Sequence, residues 1–352
     1  MAACNGRTQR PYATAARNGR LPWRPTATDE RLPSQGATLS PMSASFLPCF
    51  DIGGSGIKLA DVDARLGVGP VRQVATPTRC LQAFSSAIET VLADHGADEV
   101  AIAIAGVIDP SSGTLRCANI PAIDGIALGE HLSSRLGRRI HLLNDADAFA
   151  LACARAAEAT GTVFAAIIGT GIGGGVVIDG RLLQGARGSA GEWGHQPAVA
   201  MRTGVALPLL RCNCGQLGCV DTLCGARGLE TLHRYLHAGD ARQAGQDSRG
   251  IVDAWRSGDP TAGHTVQVWL DITAGALVGV VNVIDPALVL VGGGLGGDAD
   301  LMRALDRELC ARVLGQPPAT LLRGAEVSSR QAMIGAALFA RAAREPGHAK
   351  AG

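Results

Sequence analysis

The chain has 352 residues, a mass of 36.0 kDa and a formal net charge of +1, and 47% of its residues are apolar. This length suffices for about two domains with a cleft between them. Because the charge is nearly balanced, we expect neither a nucleic-acid partner nor binding to a membrane surface. We assign no membrane span, since no apolar run approaches about 20 residues.

The chain has ten cysteines, and their scattered positions predict that the protein resides in a reducing compartment. The chain is long for a disulfide-stapled secreted domain, and most cysteines stand singly within apolar stretches. We therefore expect free thiols and a cytoplasmic location. One cluster departs from this pattern and is treated below.

Residues 1–45 differ in composition from the rest. They are rich in arginine and proline, and their only acids are Asp29 and Glu30. We expect a disordered or non-native N-terminal extension, because such a segment buries too little apolar surface to offset its ordering entropy. An organelle transit peptide and a true start at Met42 are alternatives.

From Phe46 onward, strand patterns alternate with helical patterns. The first half carries predicted strands in SFLPCFDIGG, IKLADVD, PVRQVAT, EVAIAIAG and RIHLLND, and predicted helices over 81–95, 128–136 and 146–159.

The second half starts the same scheme again. TVFAAIIGTG and GGGVVIDGRLL predict strands joined by a turn at 171–175, and ALVLVGGG predicts a later strand. A long helix is predicted over 259–284, with Asp259 as its N-cap and Pro260 at its first position. A last helix over 331–343 is expected to pack back onto the first lobe. The repetition predicts a duplicated α/β architecture whose ligands bind between the two halves.

Three glycine-rich turns punctuate this scheme. They are Asp51–Lys58 and Ile168–Gly175, each between two strands, and Val291–Leu295, between a strand and a helix. Glycines allow backbone amides to approach an anion, and Asp51 could hold a metal ion or its waters. Any one of them alone could be a plain turn, but three in this order are much harder to explain in that way. They match neither a Walker A loop nor a dinucleotide fingerprint.

A histidine and three cysteines form a candidate metal site. His195 precedes Cys212, Cys214 and Cys219, and one imidazole with three thiolates is the closed tetrahedral set typical of structural zinc. The alternative is a set of reduced cysteines with an unrelated histidine.

Asn144, Asp145 and Asp147 follow an apolar strand directly. A carboxylate there could be a general base or the N-cap of the next helix. We expect one of the two aspartates to be the cap, which leaves the other free.

Together, DIGGSGIK, the Asn-Asp pair, IIGTGIGGG, GEWGH, CNCGQLGCVDT and LVGGG resemble the ROK (repressor, open reading frame, kinase) family of bacterial sugar kinases and regulators. The resemblance spans residues 46–343 and implies the duplicated actin-like ATPase (ribonuclease H-like) fold. It implies a small lobe of 46–144 plus 330–345, and a large lobe of 145–329 that carries the zinc loop.

The resemblance also implies roles for individual residues. Asp145 would be the general base that takes a proton from the 6-hydroxyl of a hexose. The sugar would be held by Asn119, Asn144, Glu192, His195 and Asp221. ATP with Mg²⁺ would be bound by Asp51, Gly53, Gly54, Ser55, Lys58, Gly169, Thr170, Gly171, Gly293 and Gly294. His195 would face the sugar with one nitrogen and bind zinc with the other, beside Cys212, Cys214 and Cys219.

Three positions depart from the family pattern. Ser55 replaces a threonine, Gly56 stands where a lysine commonly follows, and Lys58 comes two places later. This order is similar to that of polyphosphate-using glucokinases, so the phosphoryl donor stays open. Asp221 replaces a glutamate, which leaves the choice of sugar open.

Members that phosphorylate N-acetylglucosamine are the most similar, so this sugar is the expected acceptor. Glucose and fructose are alternatives, and a homodimer is the expected assembly. A sugar-responsive transcriptional regulator is the rival function. We disfavour it, because residues 1–45 carry no paired amphipathic helices for reading DNA.

Overall fold

The computed structural model describes residues 46–93, 95–239, 245–316 and 318–344. The predicted N-terminal extension lies outside these ranges. The strands are β1 (Leu47–Gly53), β2 (Gly56–Val62), β3 (Arg72–Val74), β4 (Glu99–Ile104), β5 (Val107–Ile108), β6 (Leu115–Arg116), β7 (Arg139–Asn144), β8 (Thr162–Ile168), β9 (Ile172–Ile178), β10 (Arg181–Leu183), β11 (Leu288–Gly292) and β12 (Leu322–Gly324). The helices are α1 (Leu81–Leu92), α2 (Leu128–Leu136), α3 (Asp145–Ala156), α4 (Asp221–Cys224), α5 (Ala226–Leu236), α6 (Ser248–Arg256), α7 (Pro260–Ile284), α8 (Ala299–Cys310) and α9 (Ser329–Ala342).

Two five-stranded sheets repeat one topology. The first has the order β3-β2-β1-β4-β7 and the second the order β10-β9-β8-β11-β12. In each sheet the first three strands are antiparallel neighbours and the last two run parallel to the central strand. The predicted duplication and mixed α/β class are therefore confirmed. In each sheet, the carboxyl ends of the parallel strands lie along the same edge.

The core is layered. One apolar cluster lies on the outer face of the first sheet with α1 and α2, and another lies on the second sheet with α7 and α8. A third cluster joins α3 and α9 to residues of both sheets. The two helices therefore lie between the sheets.

The packing of α9 on α3 is very close. A Cβ built on Gly335 of α9 would stand 1.8 Å from the backbone oxygen of Ala148 in α3, so only glycine fits there. As predicted, α9 also contacts β1 and β4 of the first sheet. The lobe boundaries at residues 144 and 330 stay a prediction.

Helix α7 begins as expected, with the side chain of Asp259 accepting from Ala262 N–H and Pro260 at the first position. Contrary to our sequence assignment, it is long and apolar enough to cross a membrane, with a mean hydropathy of 1.6 over its best window. Half of that window is buried, and Trp269, Val266 and Leu277 lie fully inside the protein. A buried core helix can meet the same criteria of length and hydropathy as a membrane-spanning helix.

Some local predictions were wrong. Helix α1 ends at Leu92 instead of residue 95, and α3 spans Asp145–Ala156 instead of 146–159. The turn predicted over 171–175 ends sooner, because the glycines at 173–175 are strand residues of β9 paired with β8. The N-cap of α3 is neither aspartate but Asn144, whose side chain accepts from Ala146 and Asp147 N–H. An amide oxygen caps a helix as well as a carboxylate does.

Candidate functional site

The predicted site residues gather where the parallel strands end. In the first sheet Ile52 pairs with Ile104, which pairs with Asn144, so the first glycine turn and Asp145 emerge from the same edge. The carboxyl edge of such a sheet is where α/β proteins bind ligands. The topology thus brings residues 53–55 and 145 together, although 90 residues separate them in the chain.

Asp145 occupies the first turn of α3 and is half-buried. Burial raises the pKa of this carboxyl, a hydrogen bond from Ala146 N–H opposes the shift, and the negative charge of Asp51 adds to it. A carboxyl with a raised pKa accepts a proton more readily once it is ionised. The environment therefore suits a general base.

Asn144 fixes the direction of that turn. Its Oδ1 accepts from Ala146 N–H at 2.7 Å and Asp147 N–H at 3.1 Å, while its Nδ2 donates to Gly106 O at 2.8 Å. Both ends of the amide are thus engaged within the protein, and one N–H remains for a ligand. Its predicted sugar contact stays a prediction.

The first glycine turn lies against the predicted sugar-binding segment. A Cβ on Gly54 would stand 3.3 Å from the backbone oxygen of Asn119. Thr76 Oγ1 donates to Gly53 O at 2.6 Å and fixes the turn from the other side. Gly54, Ser55 and Asn119 are all exposed, so they can meet a ligand in the cleft.

Lys58 lies between two oxygens. Its Nζ is 3.5 Å from Asp51 Oδ2 and donates to Ser329 Oγ at 2.6 Å, at the first residue of α9. The ammonium therefore ties the first hairpin to α9. No sequence signal marked Ser329.

The second and third glycine turns meet in the second sheet. Gly293 has a φ of +100°, and a Cβ there would stand 2.7 Å from Gly169 N. The amides of Leu295 and Gly296 donate to Ile168 O at 3.0 and 3.1 Å. The predicted nucleotide residues Gly169, Thr170, Gly171, Gly293 and Gly294 thus lie on two adjoining turns.

Asp221 holds the second turn. Its Oδ1 accepts from Ile172 N–H at 2.7 Å, and a Cβ on Gly171 would lie 2.7 Å from the same oxygen. Its Oδ2 is 4.0 Å from Cys212 Sγ. The side chain therefore lies between the glycine turn and the cysteine loop, and its sugar contact stays a prediction.

Glu192 and His195 form a pair on the loop that follows β10. Glu192 Oε2 is 3.5 Å from His195 Nε2, and both side chains are about one-third exposed. Burial raises the pKa of Glu192, His195 opposes the shift, and Asp145 and Asp221 add to it. The residues predicted to hold a sugar therefore share one electrostatic environment.

The four predicted metal ligands converge. Ligand atoms of His195, Cys212, Cys214 and Cys219 all lie within 4.8 Å of one another. Cys212 Sγ is 3.5 Å from His195 Nδ1, and Cys214 Sγ is 3.7 Å from Cys219 Sγ.

These separations fit tetrahedral zinc. With Zn–S bonds of about 2.3 Å, the edge of a tetrahedron is about 3.8 Å, and it is slightly shorter where nitrogen replaces sulfur. The ligand chemistry and spacing of these residues thus match the metal that the sequence predicted. His195 turns Nδ1 toward Cys212 and Nε2 toward Glu192.

From the residues alone, Asp147 was a candidate for the helix cap or for the general base, and the family resemblance gave it no role. It is 5% exposed, and Glu192 and Asp145 both act on its charge. The Asn-Asp-Ala-Asp run contained the signal, because residues 145 and 147 share the first helical turn. Only the fold, however, brings this helical turn against β9, where a Cβ on Gly175 would stand 3.1 Å from Asp147 Oδ1.

Comparison with known proteins gives consistent matches over nearly the whole described region. The profile of the ROK family matches residues 47–343. N-acetyl-D-glucosamine kinase of Salmonella paratyphi C (strain RKS4594) is 34% identical over 302 residues, covering 82% of this chain and 97% of the relative. A ROK hexokinase from Thermus thermophilus has a TM-score of 0.69 at 29% identity, covering 84% of this chain and 97% of that chain. A ROK family glucokinase from Streptomyces griseus, in complex with glucose and AMPPNP, has a TM-score of 0.67 at 26% identity, covering 85% and 100%.

Proposed function

The chain belongs to the ROK family, and from this premise we propose that it transfers the γ-phosphoryl group of ATP to the 6-hydroxyl of a hexose. The observation that carries the proposal is the convergence of Asp145, the glycine turns and the Glu192–His195 pair at the carboxyl edges of the two sheets. The relatives named as sugar kinases support the same activity.

Asp145 is the proposed general base. It removes the hydroxyl proton as the sugar oxygen attacks the phosphorus, while the bond from that phosphorus to the ADP oxygen breaks. Phosphoryl transfer requires little covalent chemistry from the protein. Alignment of the reacting atoms and stabilisation of the phosphate charge therefore account for most of the rate acceleration. The backbone amides of the glycine turns supply donors for the phosphate oxygens.

Two metals accompany this proposal. Asp51 is the carboxylate that would hold Mg²⁺ or its waters, and Mg²⁺ supplies neutralisation of phosphate charge when it is bound. Zinc at His195 and the three cysteines would be structural, since four protein ligands leave no open position for catalysis. Its role would be to fix the loop that presents His195 to the sugar.

N-acetylglucosamine is the proposed acceptor, with glucose and fructose as alternatives. The support comes from the relative named for that sugar, which is 34% identical along most of the chain. The test measures ADP release with N-acetylglucosamine, N-acetylmannosamine, glucose and fructose. The highest kcat/KM is expected for N-acetylglucosamine. A higher value for another hexose would reassign the acceptor, and no ADP release with any of them would refute the kinase.

The same assay distinguishes the remaining alternatives. A sugar-responsive regulator would bind sugar without consuming ATP, and the kinase names of the relatives favour turnover. Replacing ATP by polyphosphate tests the donor that the position of Lys58 left open. Homodimerisation stays a prediction that analytical ultracentrifugation measures. The cytoplasmic location also stays a prediction, supported by the free thiols in the described region.

A further inference from the structure

Thr76 is a half-buried residue that contacts the first glycine turn from outside the hairpin. Its Oγ1 donates to Gly53 O at 2.6 Å. The proposed mechanism gives Thr76 no part, although it touches the turn at residues 53–55 that is predicted to bind phosphate. The backbone of Thr76 is itself restricted, because Pro77 disfavours helical conformations of the residue before it. The hydroxyl is therefore held on an extended piece of chain.

The segment that follows β3 crosses the end of the first hairpin. In the sheet, β2 separates β3 from β1, so this segment has to pass the turn before Thr76 can reach Gly53 at the end of β1. Two residues later, Thr78 O accepts from Ala122 N–H at 2.9 Å. Ala122 belongs to the loop that carries Asn119, the predicted sugar residue. The segment is therefore anchored both to the phosphate turn and to the predicted sugar loop.

The bond from Thr76 fixes the orientation of one peptide unit. A trans peptide unit is planar, and its C=O and N–H groups point in opposite directions. The described residues contain no cis peptide bond, so the N–H of Gly54 points away from the oxygen of Gly53. Because Thr76 holds that oxygen on its own side of the turn, Gly54 N–H is directed to the opposite side.

The amides of this turn are available to a ligand. Gly54 and Ser55 are both exposed. Among the described residues, neither of their backbone N–H groups donates to a protein acceptor. Backbone amides in such turns are good donors for anionic oxygens. The hydroxyl of Thr76 therefore orients a donor that the fold itself does not use.

The place of the turn in the sheet indicates which part of the nucleotide it meets. Strands β1, β4 and β7 are parallel neighbours, so the turn and Asp145, the proposed base, leave the same edge of the first sheet. The phosphoryl group that is transferred has to reach the hydroxyl that Asp145 deprotonates. The turn at residues 53–55 therefore meets the terminal phosphates of the donor rather than its adenosine.

We propose that Thr76 is a positioning residue whose hydroxyl orients the peptide unit between Gly53 and Gly54, so that Gly54 N–H points at the terminal phosphates of the donor. This inference rests on the proposed kinase function for the identity of the ligand. Thr76 touches neither the phosphates nor the sugar in this role. It acts through the carbonyl oxygen of Gly53.

The test compares Thr76→Val, which keeps the shape and removes the donor, with Thr76→Ser, which keeps the hydroxyl. Calorimetry measures the binding of AMPPNP with Mg²⁺ and the binding of AMP, both without sugar. Thr76→Val should weaken AMPPNP binding by roughly three- to tenfold, which corresponds to the loss of one hydrogen bond. Binding of AMP should stay unchanged, because AMP has no terminal phosphates. Thr76→Ser should bind both nucleotides as the wild type does.

Thr90→Val is the matched control, because it removes a hydroxyl that donates to Ser86 O at 2.8 Å on the exposed face of α1. It should bind both nucleotides with the affinity of the wild type. Steady-state kinetics adds a second readout. In Thr76→Val the KM for ATP should rise, while the KM for the hexose stays that of the wild type. A general loss of stability would not be selective for the terminal phosphates.

Three results would overturn the positioning role. They are an unchanged AMPPNP affinity in Thr76→Val, an equal weakening of AMPPNP and AMP, and a Thr76→Ser variant that binds as weakly as Thr76→Val. If Thr76→Val does not fold, Thr76→Ala carries the same expectations.

A failure of the proposed function gives a different pattern. A wild type that binds AMPPNP but releases no ADP with any hexose refutes the kinase and leaves the comparison of the Thr76 variants decisive for phosphate positioning. A wild type that binds no AMPPNP refutes both proposals.

Discussion

Asp221 Oδ1 accepts a hydrogen bond from the backbone N–H of Ile172 at 2.7 Å. Asp221 stands two residues after Cys219, the last of the predicted metal ligands, and Ile172 directly follows the glycine turn predicted to bind phosphate. The bond therefore links the cysteine loop to the glycine turn predicted to bind phosphate.

Asp221→Ala should remove this link and leave the Ile172 N–H without its acceptor. We expect KM for ATP to rise by roughly tenfold or more, because a charged acceptor is lost from a partly buried donor. Asp221→Asn keeps an acceptor oxygen and should have a smaller effect. Steady-state kinetics with varied ATP measures both, and equal KM values for the wild type and the alanine variant would contradict the link.

Asp145→Asn should lower kcat by roughly 100-fold or more while sugar and nucleotide still bind, because the amide keeps the shape and removes the base. Calorimetry measures the binding, and ADP release measures the turnover. Asp253→Asn on α6 should retain full activity. Turnover close to that of the wild type would move the role of base to another residue.

The purified protein should contain one zinc per chain, and Cys214→Ser should lose it. We expect that variant to bind sugar more weakly, since His195 connects the metal ligands to Glu192. Elemental analysis and sugar titration test this, with Cys80→Ser, an exposed cysteine outside the cluster, as control. A zinc content well below one, or a Cys214→Ser variant with unchanged sugar affinity, would argue against the assignment.

Gly293→Ala should destabilise the protein and weaken nucleotide binding. Gly293 has a φ of +100°, and its Cβ would stand 2.5 Å from the backbone of Ile168, so both conformation and space exclude a side chain. Gly294→Ala is a neighbouring control for stability alone, because a Cβ there meets no atom within 4 Å. Thermal unfolding measures the difference in stability between the two variants. Equal unfolding temperatures for Gly293→Ala and Gly294→Ala would contradict the prediction.

Asp147→Asn should stabilise the protein at neutral and mildly alkaline pH. The pKa of Asp147 is raised from 3.8 to about 8 on folding, so between these values the unfolded chain releases a proton that the folded protein keeps. The wild type therefore loses stability as pH rises through this window, and the variant lacks this loss. Calorimetric unfolding across the window tests the sign, and parallel pH profiles for both proteins would contradict it.

The sequence by itself determined the periodic elements and the chemical inventory. Asp259 and Pro260 mark the start of α7, because caps and first-turn residues act within a few positions of each other. The cysteine spacing likewise predicted which side chains converge, and the glycine runs marked the hairpin turns that follow β1 and β8.

Tertiary structure decided which of these residues meet. Sequence reasoning placed an aspartate at the cap of α3, whereas Asn144 occupies that position, anchored to Gly106 O beyond the end of the neighbouring strand. It also could not show that the glycines at 173–175 serve packing on α3 and the Gly191 loop rather than a turn. The hydrogen bond between Asp221 and Ile172 joins positions 49 residues apart. Such contacts depend on how sheets and helices stack, since local periodicity carries no information about which distant segments share one edge.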